Sequence, residues 1–345
     1  MEAEKKRIRL DEVTLMRCIL ALLIVFMHAF TCYQGGWAQP EGYIDIPVYK
    51  WIARTSFAFT LEAFVFISGY LYAFQRITLK RVEGMIRLII NKLKRLILPS
   101  IIFSILYFII FYSYKGLGNA VYSILNGCGH MWFLPMLFWC FVGGWLLEQI
   151  KISDGWKLVF LILLNIFWPF SMPLRLSEAT NYLVYFYGGF LVYKYIELIK
   201  PAVKPSLIAL SWAVFLLLFV IFRPLKETIT IGDQSDRVLR MLSSFARSGC
   251  QFIYASAGTI AFYFTVLRQT QKQQLRTFTI KLASCCFGIY LFQQFLLKGL
   301  YYKTDFAALV GPYWLPWLGF LIAAPLSFLI TDLLLKTRSG KYLIG

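Results

Sequence analysis

The sequence predicts an all-α, polytopic membrane protein, and three observations support this prediction. Of its 345 residues, 59% are hydrophobic. Only 15% are charged, whereas soluble domains contain roughly a quarter charged residues. Apolar stretches of about 20 residues, the length that crosses a bilayer as a helix, recur from end to end. No long polar block separates these stretches, so we expect a single integral-membrane domain over residues 1–345.

About ten apolar segments are candidates for membrane spans. Each should be helical, because backbone polar groups in lipid must be satisfied within their own segment. The fifth segment is short and ends in Trp-Pro-Phe, which makes it the weakest of the ten. The predicted spans are 13–33, 51–74, 97–113, 131–149, 156–170, 180–198, 206–223, 249–267, 283–300 and 313–335.

The distribution of lysine and arginine predicts the orientation of these spans. Four basic residues precede the first span and seven lie between the second and third, whereas the loop between the first and second holds only Lys50. Cytoplasmic loops are enriched in basic residues, so both termini are expected in the cytoplasm. The membrane that holds the chain is expected to be the inner (cytoplasmic) membrane. The segment 223–248 is basic but is predicted to lie outside, which is an exception to this enrichment. Long loops follow the rule only weakly, and no role is predicted for this segment.

The N-terminal segment and the net charge each allow another interpretation. The first apolar run exceeds the hydrophobic region of a signal peptide and has no small-residue cleavage site after it, so we expect it to remain as a span. The net charge of +18 is explained by insertion topology, so no nucleic-acid partner is expected. Seven cysteines without a C-x-x-C pair predict neither a disulfide framework nor a metal site.

The first span carries two polar residues that are unusual in lipid, Arg17 and His28. They are eleven residues apart, about three helical turns or ~16 Å, so they project from similar faces. Ionisable residues within a membrane normally face the protein interior and are candidates for function. The alternative is an arginine that extends to the interface and a histidine that only packs.

Glu62 is a second buried candidate, in the middle of the second predicted span. A carboxylate at that depth must be neutral or paired. Counted from the outer helix ends, its depth differs from that of His28 by about two turns. His130 and Trp132 begin the fourth span at the predicted outer surface, where a tryptophan is also typical of the aromatic belt.

Five motifs occur in order along the chain. They are R-x10-H from Arg17 to His28, LEAFVFISGYLYAF (61–74), NKLKRLILPS (91–100), GHMWFLPMLF (129–138) and FGIYLFQQ (287–294). With these motifs the sequence resembles the acyltransferase family 3 membrane proteins over nearly its whole length. In that family a histidine often follows the last of these motifs, whereas Gln293 and Gln294 stand here.

The resemblance implies transfer of an acyl group, in the simplest case acetyl, from cytoplasmic acyl-CoA to a hydroxyl of a sugar, glycan or lipid-linked acceptor at or across the membrane. Histidine is the side chain suited to take a hydroxyl proton near neutral pH, which makes His28 the expected general base. Glu62 would then orient and stabilise the imidazole, as the acid does in a catalytic triad. Its alternative role is a structural bond to Arg17 or to the backbone.

The remaining candidates are expected to bind substrates. Arg17 would position the donor, and Lys94 with Arg95 would bind the CoA phosphates, although a topology signal or lipid contact also explains such a cluster. His130, with Trp132, would contact the acceptor or support His28; an interfacial histidine is the alternative. Acyl-CoA is expected as a substrate, with no bound cofactor and no metal.

Two other functions remain open on the sequence alone. A transporter or flippase of a glycan or lipid intermediate would use the same polar residues as a translocation path. A non-catalytic membrane scaffold would leave Arg17, His28 and Glu62 without a purpose. The expected partners are therefore the lipid bilayer, acyl-CoA and a glycan or lipid-linked sugar acceptor.

Overall fold

A computed structural model describes residues 10–81, 83–112, 117–168, 170–229 and 237–344 of the chain. All regular structure in these ranges is helical. Two short 3-10 turns, Thr31–Gln34 and Gly129–Trp132, and a π-helical turn, Leu93–Ile97, accompany the α-helices. The α-helices are α1 (Asp11–Ala29), α2 (Pro47–Phe57), α3 (Thr60–Ile77), α4 (Met85–Lys92), α5 (Leu98–Phe111), α6 (Leu117–Leu125), α7 (Phe133–Gln149), α8 (Asp154–Phe167), α9 (Leu176–Lys194), α10 (Ile196–Ala202), α11 (Pro205–Thr228), α12 (Arg237–Lys272), α13 (Thr277–Tyr302), α14 (Phe306–Lys336) and α15 (Arg338–Ile344).

Within these ranges, eight helical stretches are long and apolar enough to cross a membrane. The all-α, multi-pass architecture is confirmed, whereas the count of ten stays a prediction. The stretches are α1, α2 with α3, α4 with α5, Gly129–Gln149, α11, α12, α13 and α14.

The two predicted spans outside this set correspond to α8 and α9. Helix α8 has 14 residues, about 21 Å at ~1.5 Å per residue, against a hydrocarbon core of ~30 Å. Helix α9 has 19 residues but includes several polar side chains. Because the two helices are consecutive, omitting both leaves the predicted sidedness of the other spans unchanged.

Helices α3 and α9 pack at backbone contact. A Cβ atom at Gly69 would lie 1.8 Å from the carbonyl oxygen of Phe186, and one at Gly189 would lie 1.9 Å from that of Phe66. Glycine on both helices lets the backbones approach more closely than any side chain would allow. This crossing holds α9, which is partly polar, directly against α3.

The second predicted span is two helices rather than one. Helix α2 ends at Phe57 and α3 begins at Thr60, with Phe59 in a non-helical conformation between them. The break places a helix N-terminus inside the protein, and Glu62 lies in its first turn. A carboxylate is favoured there because the N-terminal end of a helix carries a partial positive charge.

The basic segment 223–248 is mostly helical rather than a long loop. Helix α11 continues to Thr228 and α12 begins at Arg237, while residues 230–236 lie outside the described ranges. The cations that we expected in a loop, Lys226, Arg237, Arg240 and Arg247, are therefore on helices.

Candidate active site

A cavity of about 620 Å³ lies at the C-terminal end of α1, and it brings both histidines of the chain together. We call it the histidine cavity. Its other walls come from the segment after α1, the end of α5, the turn before α7 and the second half of α13. The side chains used below are His28, Trp37, Tyr107, His130, Trp132, Gln294 and Lys298.

His28 is in the last turn of α1 and is only 9% exposed. Its ring stacks on Trp37 with 5.9 Å between centroids and meets the edge of Phe57 at 6.0 Å. Its Nδ1 atom is buried and makes no hydrogen bond with any described residue. Two aromatic contacts thus fix the ring plane and leave the imidazole available to a ligand in the cavity.

His130 is held by an unusual turn, Asn126–Trp132. Gly127 and Gly129 have φ values of 80° and 57°, a conformation that glycine adopts readily. A Cβ at Gly129 would also meet the ring of Tyr107 at 2.6 Å. The turn is anchored by the backbone N–H of Cys128, which donates to Ser104 Oγ at 3.0 Å. Together these features direct His130 towards α13 and α1.

The hydrogen bonds of His130 determine its tautomer. Its Nε2 lies 3.1 Å from the carbonyl oxygen of Leu291, which can only accept, so Nε2 carries a proton. In the neutral ring the lone pair is then on Nδ1, which is buried and has no partner in the described part of the chain. The ring centroids of His130 and His28 are 6.3 Å apart. Two imidazoles with unused Nδ1 atoms therefore face one cavity.

Two glutamines on α13, Gln293 and Gln294, end the motif FGIYLFQQ, where the resembling family often has a histidine. The hydroxyl of Tyr107 donates to Gln294 Oε1 at 3.0 Å. Gln293 approaches the His28 imidazole, but neither polar atom of its amide makes a regular hydrogen bond with a described residue. Gln294 is thus a structural partner of the cavity wall, and Gln293 retains free hydrogen-bonding capacity beside His28.

Lys298 is a cavity residue that we did not select from the sequence. Its ammonium lies 5.2 Å from the ring centre of Trp37, 5.4 Å from that of Tyr107 and 5.3 Å from that of Tyr112. It also interacts electrostatically with both histidines. One signal was present, because Lys298 is four residues after Gln294 and therefore on the same helix face.

Glu62 does not contact His28. Its Oε1 accepts a hydrogen bond of 3.0 Å from Gln251 Nε2, and the ammonium of Lys226 donates to the oxygen of the same amide. The carboxylate lines a second cavity of about 220 Å³, which we call the glutamate cavity. The expected arrangement, in which Glu62 orients the imidazole, is therefore absent.

Trp132 borders both cavities. Its ring packs against that of Tyr182 at 6.1 Å, and the guanidinium of Arg175 lies 6.0 Å from its centre. Arg175 and its neighbour Leu174 both have positive φ, a costly conformation outside glycine. A well-supported indole thus separates the two histidines from the carboxylate.

The three basic candidates lie away from the histidine cavity. Arg17 is half-buried, close enough to Cys18 and Cys286 to interact electrostatically, and ~16 Å from His28 along α1. Lys94 and Arg95 are exposed in the π-helical turn, ~24 Å along the helix from Phe111 at the cavity wall. Pro99 cannot donate to the carbonyl of Arg95, which favours the irregular turn at this position.

Comparison with known proteins identifies the family. A family model of the acyltransferase domain of acyltransferase family 3 matches residues 10–336. The chain belongs to the acyltransferase 3 family. The match covers every helix from α1 to α14, so the suspected resemblance is confirmed. Comparisons with curated proteins and with solved structures found no significant match.

Membership in the acyltransferase 3 family assigns acyl transfer as the class of reaction, carried out by a multi-pass membrane protein. In this acyltransferase 3 chain, the residues predicted for the reaction do not all lie at one site. His28, His130 and Trp132 line the histidine cavity, Glu62 lines the glutamate cavity, and the basic residues are elsewhere. Among the described side chains, no group of three or more His, Cys, Asp or Glu is arranged to hold a metal ion.

Proposed function

We propose that the chain transfers an acyl group, in the simplest case acetyl, from cytoplasmic acyl-CoA to a hydroxyl of a sugar, glycan or lipid-linked acceptor, at or across the inner (cytoplasmic) membrane. The observation that carries the proposal is the histidine cavity, where two imidazoles and an ammonium meet in a space large enough for a substrate. Acyl transfer to an alcohol needs these groups: a base, and positive charge near the carbonyl oxygen.

His28 is the proposed general base. It takes the proton of the acceptor hydroxyl as the hydroxyl oxygen attacks the thioester carbonyl. The carbon–sulfur bond then breaks, and the proton passes from the imidazolium to the departing thiolate, which leaves neutral His28 and free CoA. His130 Nδ1, an acceptor without a partner in the described ranges, holds the acceptor hydroxyl or a second hydroxyl in position.

Lys298 is the proposed source of positive charge for the reaction. Negative charge develops on the thioester oxygen in the transition state, and a cation held in a fixed position near that oxygen stabilises it. Four aromatic rings surround the ammonium at 5.2 to 5.8 Å, which limits its movement. The proposed electrostatic role thus rests on a charge held in place before the substrate arrives.

The donor is proposed to enter from the opposite, cytoplasmic end of the bundle. Lys94 and Arg95 bind the phosphates of CoA as exposed cations, and Arg17 holds the donor deeper in the membrane. The extended arm of acyl-CoA that carries the thioester would span the ~16 Å between Arg17 and His28. This arrangement keeps the charged end of the donor in water and delivers only its acyl end to the histidines.

The deciding experiment uses the purified chain in lipid nanodiscs with acetyl-CoA labelled in the acetyl group. A mixture of free sugars and lipid-linked saccharides serves as acceptor, and the products are separated by chromatography. We expect label in an O-acetylated product and expect none with His28→Ala. Label that remains on CoA, together with movement of a saccharide lipid across the bilayer, would identify a flippase instead.

A further inference from the structure

The glutamate cavity has features of a binding site that the proposed reaction does not use. It lies beside the histidine cavity, with Trp132 as the common wall. At about 220 Å³ it is smaller than a drug-sized site, which suits one ring rather than a chain. Its polar lining comes from α3, α8, α9 and α12, and consists of Glu62, Asn165, Glu178, Asn181, Ser248 and Gln251.

Two buried acceptors in this lining have no partner among the described residues. Glu62 is 1% exposed and uses only Oε1, while its Oε2 makes no hydrogen bond. Asn165 is 7% exposed; its amide nitrogen donates to the carbonyl of Asn181, while its Oδ1 makes no hydrogen bond. An unsatisfied buried polar atom costs about 1–3 kcal/mol, so the site is suited to a ligand that supplies donors.

The charges around the cavity are balanced, which disfavours an ionic ligand. The carboxylate of Glu178 is bound by Arg175 at 2.5 Å. Glu62 interacts electrostatically with Lys226, which is joined to it through Gln251. A carboxylate or phosphate ligand would meet two acids, and an ammonium ligand would compete with two basic groups already in place.

Aromatic side chains complete the lining. Tyr182, Tyr185, Phe252 and Trp132 supply flat apolar surfaces beside the polar groups. A ring that carries several hydroxyls presents donors around its edge and C–H groups on its faces. This combination matches the cavity, because hydroxyls can donate to Glu62 and Asn165 while the faces pack on the aromatic rings.

We propose that the glutamate cavity binds an uncharged, polyhydroxylated ring, the sugar unit of the acceptor that adjoins the hydroxyl to be acylated. This inference rests on the proposed function, since the bound ring would hold the acceptor on one side of Trp132 while the adjoining part of the acceptor reaches around the indole and places its hydroxyl at His28. Glu62 is then an acceptor-binding residue, which explains why its partner is Gln251 rather than a histidine.

Saturation-transfer difference NMR tests this site without requiring turnover. The purified chain in detergent micelles is mixed with glucose, galactose, N-acetylglucosamine, glucosamine and glucuronate. We expect signals from at least one neutral sugar and none from the two charged sugars.

Two variants test the proposed contacts. Glu62→Gln keeps the Oε1 acceptor but removes the carboxylate, and Asn165→Ala removes Oδ1. Each should weaken binding about tenfold, as expected for a lost hydrogen bond to a buried polar group.

Glu148→Gln is the matched control, because Glu148 is bound to Arg76 and Tyr72 at another place in the bundle. This variant and His28→Ala should keep the sugar signal, and thermal unfolding will show which variants remain folded. No neutral-sugar signal, a preference for a charged sugar, equal binding by Glu62→Gln and Glu148→Gln, or loss of the signal in His28→Ala would each overturn the site.

The same variants separate this inference from the proposed function. If acyl transfer occurs but Glu62→Gln and Asn165→Ala leave the acceptor KM unchanged, the site assignment fails and the function stands. If a neutral sugar binds in a Glu62-dependent way but no acyl group is ever transferred, the site stands and the function fails.

Discussion

The imidazole rings of His28 and His130 meet edge to face in one cavity, 6.3 Å apart between centroids, although one lies in the last turn of α1 and the other precedes α7. Neither Nδ1 atom makes a regular hydrogen bond with a described residue, although the amides of Gln293 and Gln294 approach the two rings. Buried polar atoms of native proteins are normally hydrogen-bonded, so an unused pair at one site points to a ligand that both contact. The relative importance of the two rings can be measured directly.

His28→Ala should reduce the transfer rate by about 10²–10⁴-fold, the range typical for loss of a general base. The variant should remain inserted and folded, because removal of one packing side chain normally costs only ~1 kcal/mol. Acetyl transfer and thermal unfolding are measured on the same preparation. More than about a tenth of wild-type turnover would show that His28 only packs.

Lys298→Gln should lower kcat more than it raises KM, because the ammonium is assigned to charge that exists only in the transition state. A loss of about 10²–10³-fold is typical when one such group is removed. Lys50, a partly exposed cation near the same predicted face, provides the control as Lys50→Gln. An effect confined to KM would make Lys298 a substrate-binding residue instead.

Replacing both Lys94 and Arg95 by alanine should raise the KM for acyl-CoA and leave kcat nearly unchanged. Their proposed phosphate contacts are remote from the reacting carbonyl and act equally in the ground and transition states. Arg338→Ala with Lys341→Ala, a pair of exposed cations on the same predicted side, should leave both constants unchanged. A pure loss of kcat in the first pair would refute phosphate binding.

Reporter fusions test the orientation. A reporter fused after Lys200 should report cytoplasm, and one fused near Lys50 should report the outer side, because the basic residues are concentrated in the loops predicted inside. The reversed pattern would contradict the cytoplasmic donor site together with the orientation. A fusion within the connection between α8 and α9 also shows whether this helix pair crosses the bilayer.

Gly69→Ala should destabilise the protein by more than about 3 kcal/mol, the upper end for ordinary overpacking, because the new Cβ would overlap the Phe186 carbonyl. Gly188→Ala is the control: a Cβ there meets nothing within 4 Å, and alanine favours the helix by up to ~1 kcal/mol. Thermal unfolding in detergent compares the two. Equal midpoints would mean that α3 and α9 do not pack at backbone contact.

Hydropathy predicted the architecture well because membrane helices depend on composition and length, which a single sequence contains. The motifs likewise sufficed for the family, and His28 and His130 were both selected. Two misjudged features have a shared cause. The break before Glu62 falls inside an apolar run, and helices α11 and α12 continue past their apolar segments, so apolar composition alone locates neither the break nor the helix ends.

The position of Glu62 shows a second limit of sequence reasoning. Counting residues gives the depth of a side chain along its helix, and Glu62 and His28 do line cavities that share Trp132. The depth of a residue along its helix does not determine which other helix packs against the face that carries it. Gln251 comes from α12, so the actual partner of Glu62 is set by the packing of α3 against α12. Lys298 escaped selection for the same reason.

The shared wall at Trp132 gives this enzyme two compartments that can be altered independently. Under the proposed assignment of the glutamate cavity to the acceptor, substitutions among its side chains would change the choice of acceptor without altering any group around His28. Trp132 itself is the exception, because an alanine there would join the compartments into one continuous space. Selection for a larger acceptor would therefore act on this single indole first.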